Sequence, residues 1–218
     1  MATRVHPVPS PLPAGTLDQW AGVVSTIAID CVPGAIMLDP ALRPLRSFGD
    51  RKPLVGRVIT ARVDPFDFGA MVHVTEAAGE GDVIVLDAGG RNTDAVAGEI
   101  ICGQMRRRGV RGIVVDGAVR DTDNLLWPDF AVFYRHIVAR GPKTFEAGEV
   151  NHALSLGGAV VTPGDLLIGD DDGLVVIPRE KIAAGLAPAL AKPAIEKAWE
   201  DALASGKSPS EVFLNRRP

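Results

Sequence analysis

Cysteine, tyrosine and long apolar runs are all scarce in this 218-residue chain, and each scarcity closes off a class of protein. The two cysteines, Cys31 and Cys102, show neither CxxC spacing nor a dense pairing pattern, which excludes a disulfide scaffold. A reducing cytoplasm is the expected compartment. No uncharged apolar stretch reaches the ~20 residues that a membrane helix needs, and the opening MATRVHPVPSPLPAG lacks the continuous apolar core of an export signal. Neither export nor membrane embedding is expected. Positive charge is short as well: 23 Lys and Arg stand against 27 Asp and Glu, giving a net charge of -4 and a pI near 5.6. No global field collects phosphates, so nucleic acid is not an expected direct partner. An anionic ligand would need a local cation.

What is present is apolar material, 46% of the chain, enough for one sizeable core. The expected layout is a Pro-rich segment over residues 1–15, a single α/β domain over 16–205 and a tail over 206–218. In TLDQWAGVVSTIAIDCV, Leu17, Trp20, Val24 and Ile27 recur at spacings of three and four behind Thr16, which predicts one helix capped by Thr16. PLVGRVITARV, AMVHVTEA and EGDVIVLDAGG are rich in β-branched residues and read as strands, with His73 alternating among apolar neighbours in the second. RNTDAVAGEIICGQMRRRGV predicts a helix, with Asn92, Thr93 or Asp94 as cap candidates and Ala97, Ile100, Ile101 and Met105 on its apolar face. Arg106, Arg107 and Arg108 complement its C-terminal dipole as a solvated helix end, and Gly109 stops it.

A buried strand, Ile113 to Val115, follows that helix, so strand, helix and strand form a βαβ unit with a parallel pair. FAVFYRHIVAR, GAVVTPGDLLIG and GLVVIPRE add strands, the last two joined by the acidic turn Asp170, Asp171 and Asp172, and a helix over residues 181–205 closes the domain. Strands on both sides of one βαβ unit predict a mixed sheet in a layered α/β domain. DAGGRN contains neither GxGxxG nor GKS/T, so a doubly wound nucleotide-binding fold is not expected.

Ligands of such sheets gather beyond the carboxyl ends of strands, which directs attention to VVDGAVRD and its Arg120 and Asp121. Two opposite charges after an apolar strand also suit a solvated turn. The neighbouring sequence favours a site, because a helix beginning near Gly98 would present backbone amides to an anion held by Arg120, with Asp121 alongside.

The ordered segments VIVLDAGG, GEIICGQMRRRGVRGIVVDGAVRD, GEVN and PGDLLIGDDDGLVVIPRE resemble the RraA-like family, which includes aldolases acting on 4-hydroxy-4-methyl-2-oxoglutarate; the likeness spans about residues 15–205. The resemblance implies a swivelling β/β/α fold, a homotrimer with sites between subunits, and a divalent-metal-dependent lyase releasing pyruvate from a small 2-oxo acid. Oxaloacetate decarboxylation through the same enolate is a related activity. It further implies that the main-chain amides of Gly98, Glu99, Ile100 and Ile101 hold the pyruvyl carboxylate, that Arg120 binds the 2-oxo acid, and that Asp121 binds Mg²⁺ or Mn²⁺. Glu196 of the C-terminal helix aligns with a glutamate that a neighbouring subunit contributes to the site.

Elementary chemistry agrees with those roles. Retro-aldol cleavage develops negative charge on an enolate, which a guanidinium and a hard cation stabilise, so no Schiff-base lysine is needed. Glu99 is positioned in sequence to orient a water, while the group that takes the C4 hydroxyl proton is not singled out. Two departures from the aldolase pattern stand out: Asn124 replaces an acid after Arg-Asp, and Glu99 replaces a loop glycine. Asn124 can donate a hydrogen bond but supplies no charge. A second reading is therefore a non-catalytic protein-binding regulator resembling inhibitors of ribonuclease E. His73 and His136 have no partners at ligand spacing, Cys102 reads as a buried small hydrophobe, and the Asp170–Asp172 run lacks the late Glu of a calcium loop. Trp127, Phe130, Phe133 and Tyr134 are expected in core or interface packing.

Overall fold

A computed structural model of the chain describes residues 2–63, 66–156 and 158–214. In chain order, a short strand β1 (Arg4–Val5) precedes helices α1 (Thr16–Trp20) and α2 (Ser25–Cys31), then strands β2 (Ile36–Met37), β3 (Arg43–Pro44) and β4 (Leu54–Arg62). Helix α3 (Gly69–Ala77) leads to β5 (Asp82–Asp87) and β6 (Ala95–Ala97), and α4 (Glu99–Arg107) leads to β7 (Gly112–Val119) and β8 (Ala131–Ile137). The remainder comprises β9 (Glu149–Val150), β10 (Leu154–Leu156), β11 (Ala159–Val161), β12 (Leu166–Gly169), β13 (Leu174–Ile177), α5 (Ile182–Ala204) and α6 (Pro209–Phe213).

The main sheet runs β2-β13-β12-β4-β5-β7-β8-β3, and its centre, β4, β5, β7 and β8, is parallel. The flanks β12, β13, β2 and β3 are antiparallel, which makes the mixed sheet that the sequence pattern predicts. β5 and β7 read as unbroken apolar runs because both faces are covered. Alternate residues divide between them: Ile84, Leu86, Ile113 and Val115 pack with α3 and α4 through Met71, Val74 and Met105. Val83, Val85 and Val114 pack on the other face with Leu154, Leu156 and Val161 of the β10–β11 hairpin. A third cluster joins α1, α2 and α5 to β12 and β13 through Trp20, Ala28, Ile168, Val175 and Ile182.

Several local expectations need correction. AMVHVTEA is helical, not a strand: its buried residues Ala70, Met71, Val74 and Thr75 follow the helical period, and His73 is half-exposed beside Glu76. The first helix is two. Thr16 is its first helical residue rather than its cap, turning its hydroxyl to the Pro13 carbonyl, and the chain leaves the helix after Trp20 to restart at Ser25. The restart is fixed from a distance, since Asp170 accepts from both the Ser25 amide (2.7 Å) and its hydroxyl (2.6 Å). The neighbouring Asp171 accepts from the Phe48 amide (2.9 Å) and the Ser47 hydroxyl (2.8 Å). The acidic turn is thus a brace between loops. Asn92, Thr93 and Asp94 cap no helix, because residues 95–97 pair with β7 and α4 starts only after Gly98. Ala97 therefore lies in a strand, and Ile100 is 84% exposed rather than in the core. Gly109, at φ +82, does terminate that helix, its amide donating to the Arg106 carbonyl.

Candidate active site

The site is assembled where β7 runs out. All eight residues of β7 are buried, so the first polar side chains beyond it, Arg120 and Asp121, emerge at the sheet's end with 44% and 42% of their side chains exposed. The Arg120 amide donates to the Ala97 carbonyl (3.0 Å), which ties the end of β7 to the segment entering α4. Asp121 adopts left-handed backbone, φ 58 and ψ 40, and its carbonyl accepts from the Asn124 amide (3.0 Å) to begin a 3-10 turn over Thr122–Leu125. Leu125, 2% exposed, pins that turn into the core. A non-glycine residue in this conformation is uncommon, and aspartate is among the side chains that tolerate it best.

Gly98 permits the convergence. A Cβ there would lie 2.5 Å from the Asp121 carboxylate and 3.0 Å from Arg120 Cγ, so any larger residue would displace this pair from the start of α4. Gly141 does the same on the opposite side, where a Cβ would fall 2.7 Å from the Arg120 guanidinium. Four backbone amides at a helix start lack intrahelical acceptors. At α4 the Glu99 amide leans on Asp121 Oδ2 at 3.3 Å, while those of Ile100 and Ile101 have no acceptor among the described residues. Arg120 Nε stands 3.6 Å from Asp121 Oδ2, a pair too open to saturate either group. The result is a guanidinium and two free amides beside two carboxylates.

Glu99 is the second carboxylate, and Asn124 holds it by donating from Nδ2 to its Oε2 (2.8 Å). Asn124 thus retains a place in the site through hydrogen bonding. Cys102, one turn into α4, contributes no nucleophile: burial foremost, then the nearby Asp121 charge, pushes its thiol up to about 12. The cleft between these parts measures about 190 Å³, and its wall is largely apolar, formed by Phe68, Ala95, Ala97, Ile100, Ile101 and Pro142. A larger hollow of about 410 Å³ lies under the N-terminal segment, but its Arg57 is already paired with Asp82 at 2.7 Å.

Of the sequence-predicted residues, Gly98, Ile100, Ile101, Arg120 and Asp121 line the cleft and Glu99 adjoins it, where Asn124 holds its carboxylate. Glu196 does not line the cleft; it sits on α5 within 3.6 Å of Lys192. No group of three or more His, Cys, Asp or Glu that could hold a metal forms among the described residues. The donor set of one chain, Asp121 with Glu99 near it, suits a hard cation that keeps most of its waters. Phe68, Gly141 and Pro142 escaped sequence reasoning, although the Gly-Pro pair marks a turn.

The backing of the cleft comes from Asp67, which gathers the Gly69, Glu146 and Ala147 amides and the Thr144 hydroxyl and so fixes the loop after Pro142. Burial pushes its carboxyl up, but the Thr144 and amide hydrogen bonds outweigh that and hold it at about 2.

A family model described as RraA-like, Aldolase/RraA, matches residues 28–176. A protein of Halalkalibacterium halodurans, provisionally named a 4-hydroxy-4-methyl-2-oxoglutarate aldolase, is 32% identical over 200 residues, covering 92% of this chain and 94% of its own. The solved structure of an uncharacterised Pseudomonas syringae protein shares the fold with a TM-score of 0.78 at 24% identity, over 94% of this chain and 99% of that one. The structure of a protein described as the RNA-processing inhibitor RraA from Thermus thermophilus matches with a TM-score of 0.65 at 30% identity, over 71% of this chain and 92% of its own. No described helix is long and apolar enough to cross a membrane.

Proposed function

Because this chain belongs to the RraA-like family, we propose that it is a cytoplasmic, divalent-metal-dependent lyase cleaving a carbon–carbon bond of a small 2-oxo acid to release pyruvate. Oxaloacetate decarboxylation, which passes through the same enolate, is its companion reaction. The observation that carries this reading is the pair of acceptor-free amides at Ile100 and Ile101 in residues that line the same cleft as Arg120 and Asp121, with Glu99 adjoining. The pyruvyl carboxylate docks on those amides, where the helix dipole also favours an anion. Arg120 polarises the 2-oxo group and stabilises the enolate oxygen. Asp121 holds the Mg²⁺ or Mn²⁺, with Glu99, fixed by Asn124, as the adjoining carboxylate that orients water. When bound, the cation supplies positive charge against the developing enolate.

The family's assembly supplies the rest of the proposal: a homotrimer in which the partner subunit's Glu196 reaches the cleft. Pyruvate release, coupled to lactate dehydrogenase, tests the reading with oxaloacetate and a panel of 4-hydroxy-2-oxo acids. Release with Mg²⁺ or Mn²⁺ that EDTA abolishes is the expected outcome, and silence across the panel sinks it. A second reading, a regulator that binds a ribonuclease, draws on the described role of the Thermus thermophilus relative and on Asn124 standing where the aldolase pattern has an acid. Inhibition of purified ribonuclease E by a chain that turns over no 2-oxo acid would favour it.

A further inference from the structure

We infer that residues 3–6 are a positioning strand for the active site: by clasping the loop that walls the cleft, they set where the Arg120 guanidinium stands. The catalytic half of this inference rests on the lyase reading above. Between β8 and β9 the chain runs through residues 138–148 as a loop, bridged from Thr144 to Asp67. A loop of that length is ordered only where other segments tie it. Its inner end bears on the site. Gly141 lies so close to Arg120 that a Cβ there would fall 2.7 Å from Nη1 and 3.1 Å from Cζ, and Pro142 lines the cleft beside Arg120. One side of the loop is tied from within, by Asp67 and by the Phe68 and Ala70 amides, which donate to the Thr144 (2.8 Å) and Ala147 (3.1 Å) carbonyls.

The N-terminal segment ties the other side. Thr3 donates its hydroxyl to the Glu146 carbonyl (3.0 Å), the Arg4 amide donates to Gly148 (2.9 Å) and the His6 amide to Val150 (3.0 Å), so β1 extends β9 as a parallel pair. Thr3 also reaches α3: a Cβ on Gly69 would meet its hydroxyl at 2.6 Å and the Ala147 amide nitrogen at 2.8 Å. Glu149 is the hub. Its Oε1 accepts from His6 Nε2 (2.7 Å) and its Oε2 from Arg62 of β4 (2.8 Å), which joins strap, loop and sheet through one carboxylate. The His6 hydrogen bond holds that carboxyl below its usual range; burial opposes this, while the charges of His152, Arg62 and Arg4 reinforce it. A two-residue strand does not hold by its ladder alone. Prolines at positions 7, 9, 11 and 13 restrict the following stretch to extended backbone. Arg57 donates to the Pro9 carbonyl (2.7 Å), and Arg179 to those of Ser10 (2.8 Å) and Pro11 (2.7 Å). The stretch is thereby fixed behind residues 3–6 and delivers them to β9 with little freedom left to lose.

The test compares the full chain with one lacking residues 2–6, by amide hydrogen exchange and by pyruvate release from oxaloacetate and 4-hydroxy-4-methyl-2-oxoglutarate with Mn²⁺ or Mg²⁺. The deletion should speed exchange at Lys143, Thr144, Glu146 and Ala147, whose amides bond to Phe66 and Asp67, and lower kcat/KM about tenfold. The loss should fall on kcat rather than KM, because the loop bears on Arg120 while the substrate carboxylate docks on α4. His6→Ala should move both readouts the same way by less. His6→Gln, whose amide can still donate to Glu149, should restore them, a rescue that a general loss of fold would not show. Should the deletion unfold the chain, the two His6 variants decide alone. Unchanged exchange in the loop would overturn the clasp, and faster exchange with native kcat/KM would overturn its coupling to Arg120. Silence of the full chain with both acids would remove the lyase reading and the catalytic half with it, while the exchange comparison still decides the clasp.

Discussion

Helices α2 and α4 both begin without a side-chain cap at the N-cap position, and they are treated in opposite ways. The amide and hydroxyl of Ser25 at the start of α2 are closed by Asp170, a buried carboxylate from 145 residues away. At α4 the Asp121 carboxylate takes one amide at 3.3 Å, and the next two have no acceptor among the described residues. The same local deficit is thus met internally at one helix and left open at the other. An unmet donor in water costs little, whereas a buried one costs about 1–3 kcal/mol, so the difference follows burial. Openness at α4 leaves room for an external anion, and Arg120 stands where that anion would be held.

The strongest way to break this comparison is to remove the cation at the open end. Arg120→Ala should lower pyruvate release by about 10²–10³-fold without changing the thermal midpoint, because the side chain is 44% exposed and braces nothing. Equal loss of folding would make Arg120 structural. Asp170→Ala should do the reverse, costing about 2–3 kcal/mol of stability by orphaning the Ser25 donors while the remaining folded protein keeps its kcat/KM; urea unfolding beside steady-state kinetics separates the two.

The third expectation concerns acid. The Asp67 carboxyl is held at about 2 against an ordinary value of 3.8, so its contribution is present above pH 3.8 and disappears as pH falls through about 2. That shift is worth about 2 kcal/mol, so the native chain should lose this much more stability than Asp67→Asn between pH 5 and pH 2; parallel acid curves would dismiss the role. The smallest effect sharpens the open site. Gly98→Ala places a Cβ 2.5 Å from the Asp121 carboxylate, and a displacement of a few tenths of an ångström should cut kcat/KM about tenfold with little change in melting.

The central strands β4, β5 and β7 were legible because their apolar runs are long enough to declare burial on both faces. Helix α3 was not: Val72 and Val74 on either side of His73 imitate strand alternation, and only packing with Ile59 and Leu86 reveals that the buried set is helical. The break after Trp20 was hidden for another reason, since the carboxylate that restarts α2 lies in a hairpin turn far along the chain. At the site, Arg120, Asp121 and Gly98 could be read from a strand end followed by charge and a glycine before a helix. The cradle of Gly141 and the bond from Asn124 to Glu99 could not, because both depend on loops brought together only by the sheet.

The N-terminal segment is anchored by residues far along the chain. Arg4 and Val5 pair with Glu149 and Val150, and Arg179 donates to the carbonyls of Ser10 and Pro11 across 169 and 168 residues. During synthesis at roughly 5–20 residues per second, residues 4–11 emerge before their partners and wait on the order of ten seconds for them. They are therefore made well before the segments that hold them, and a growing chain carries them unpaired until residues 149–179 have emerged.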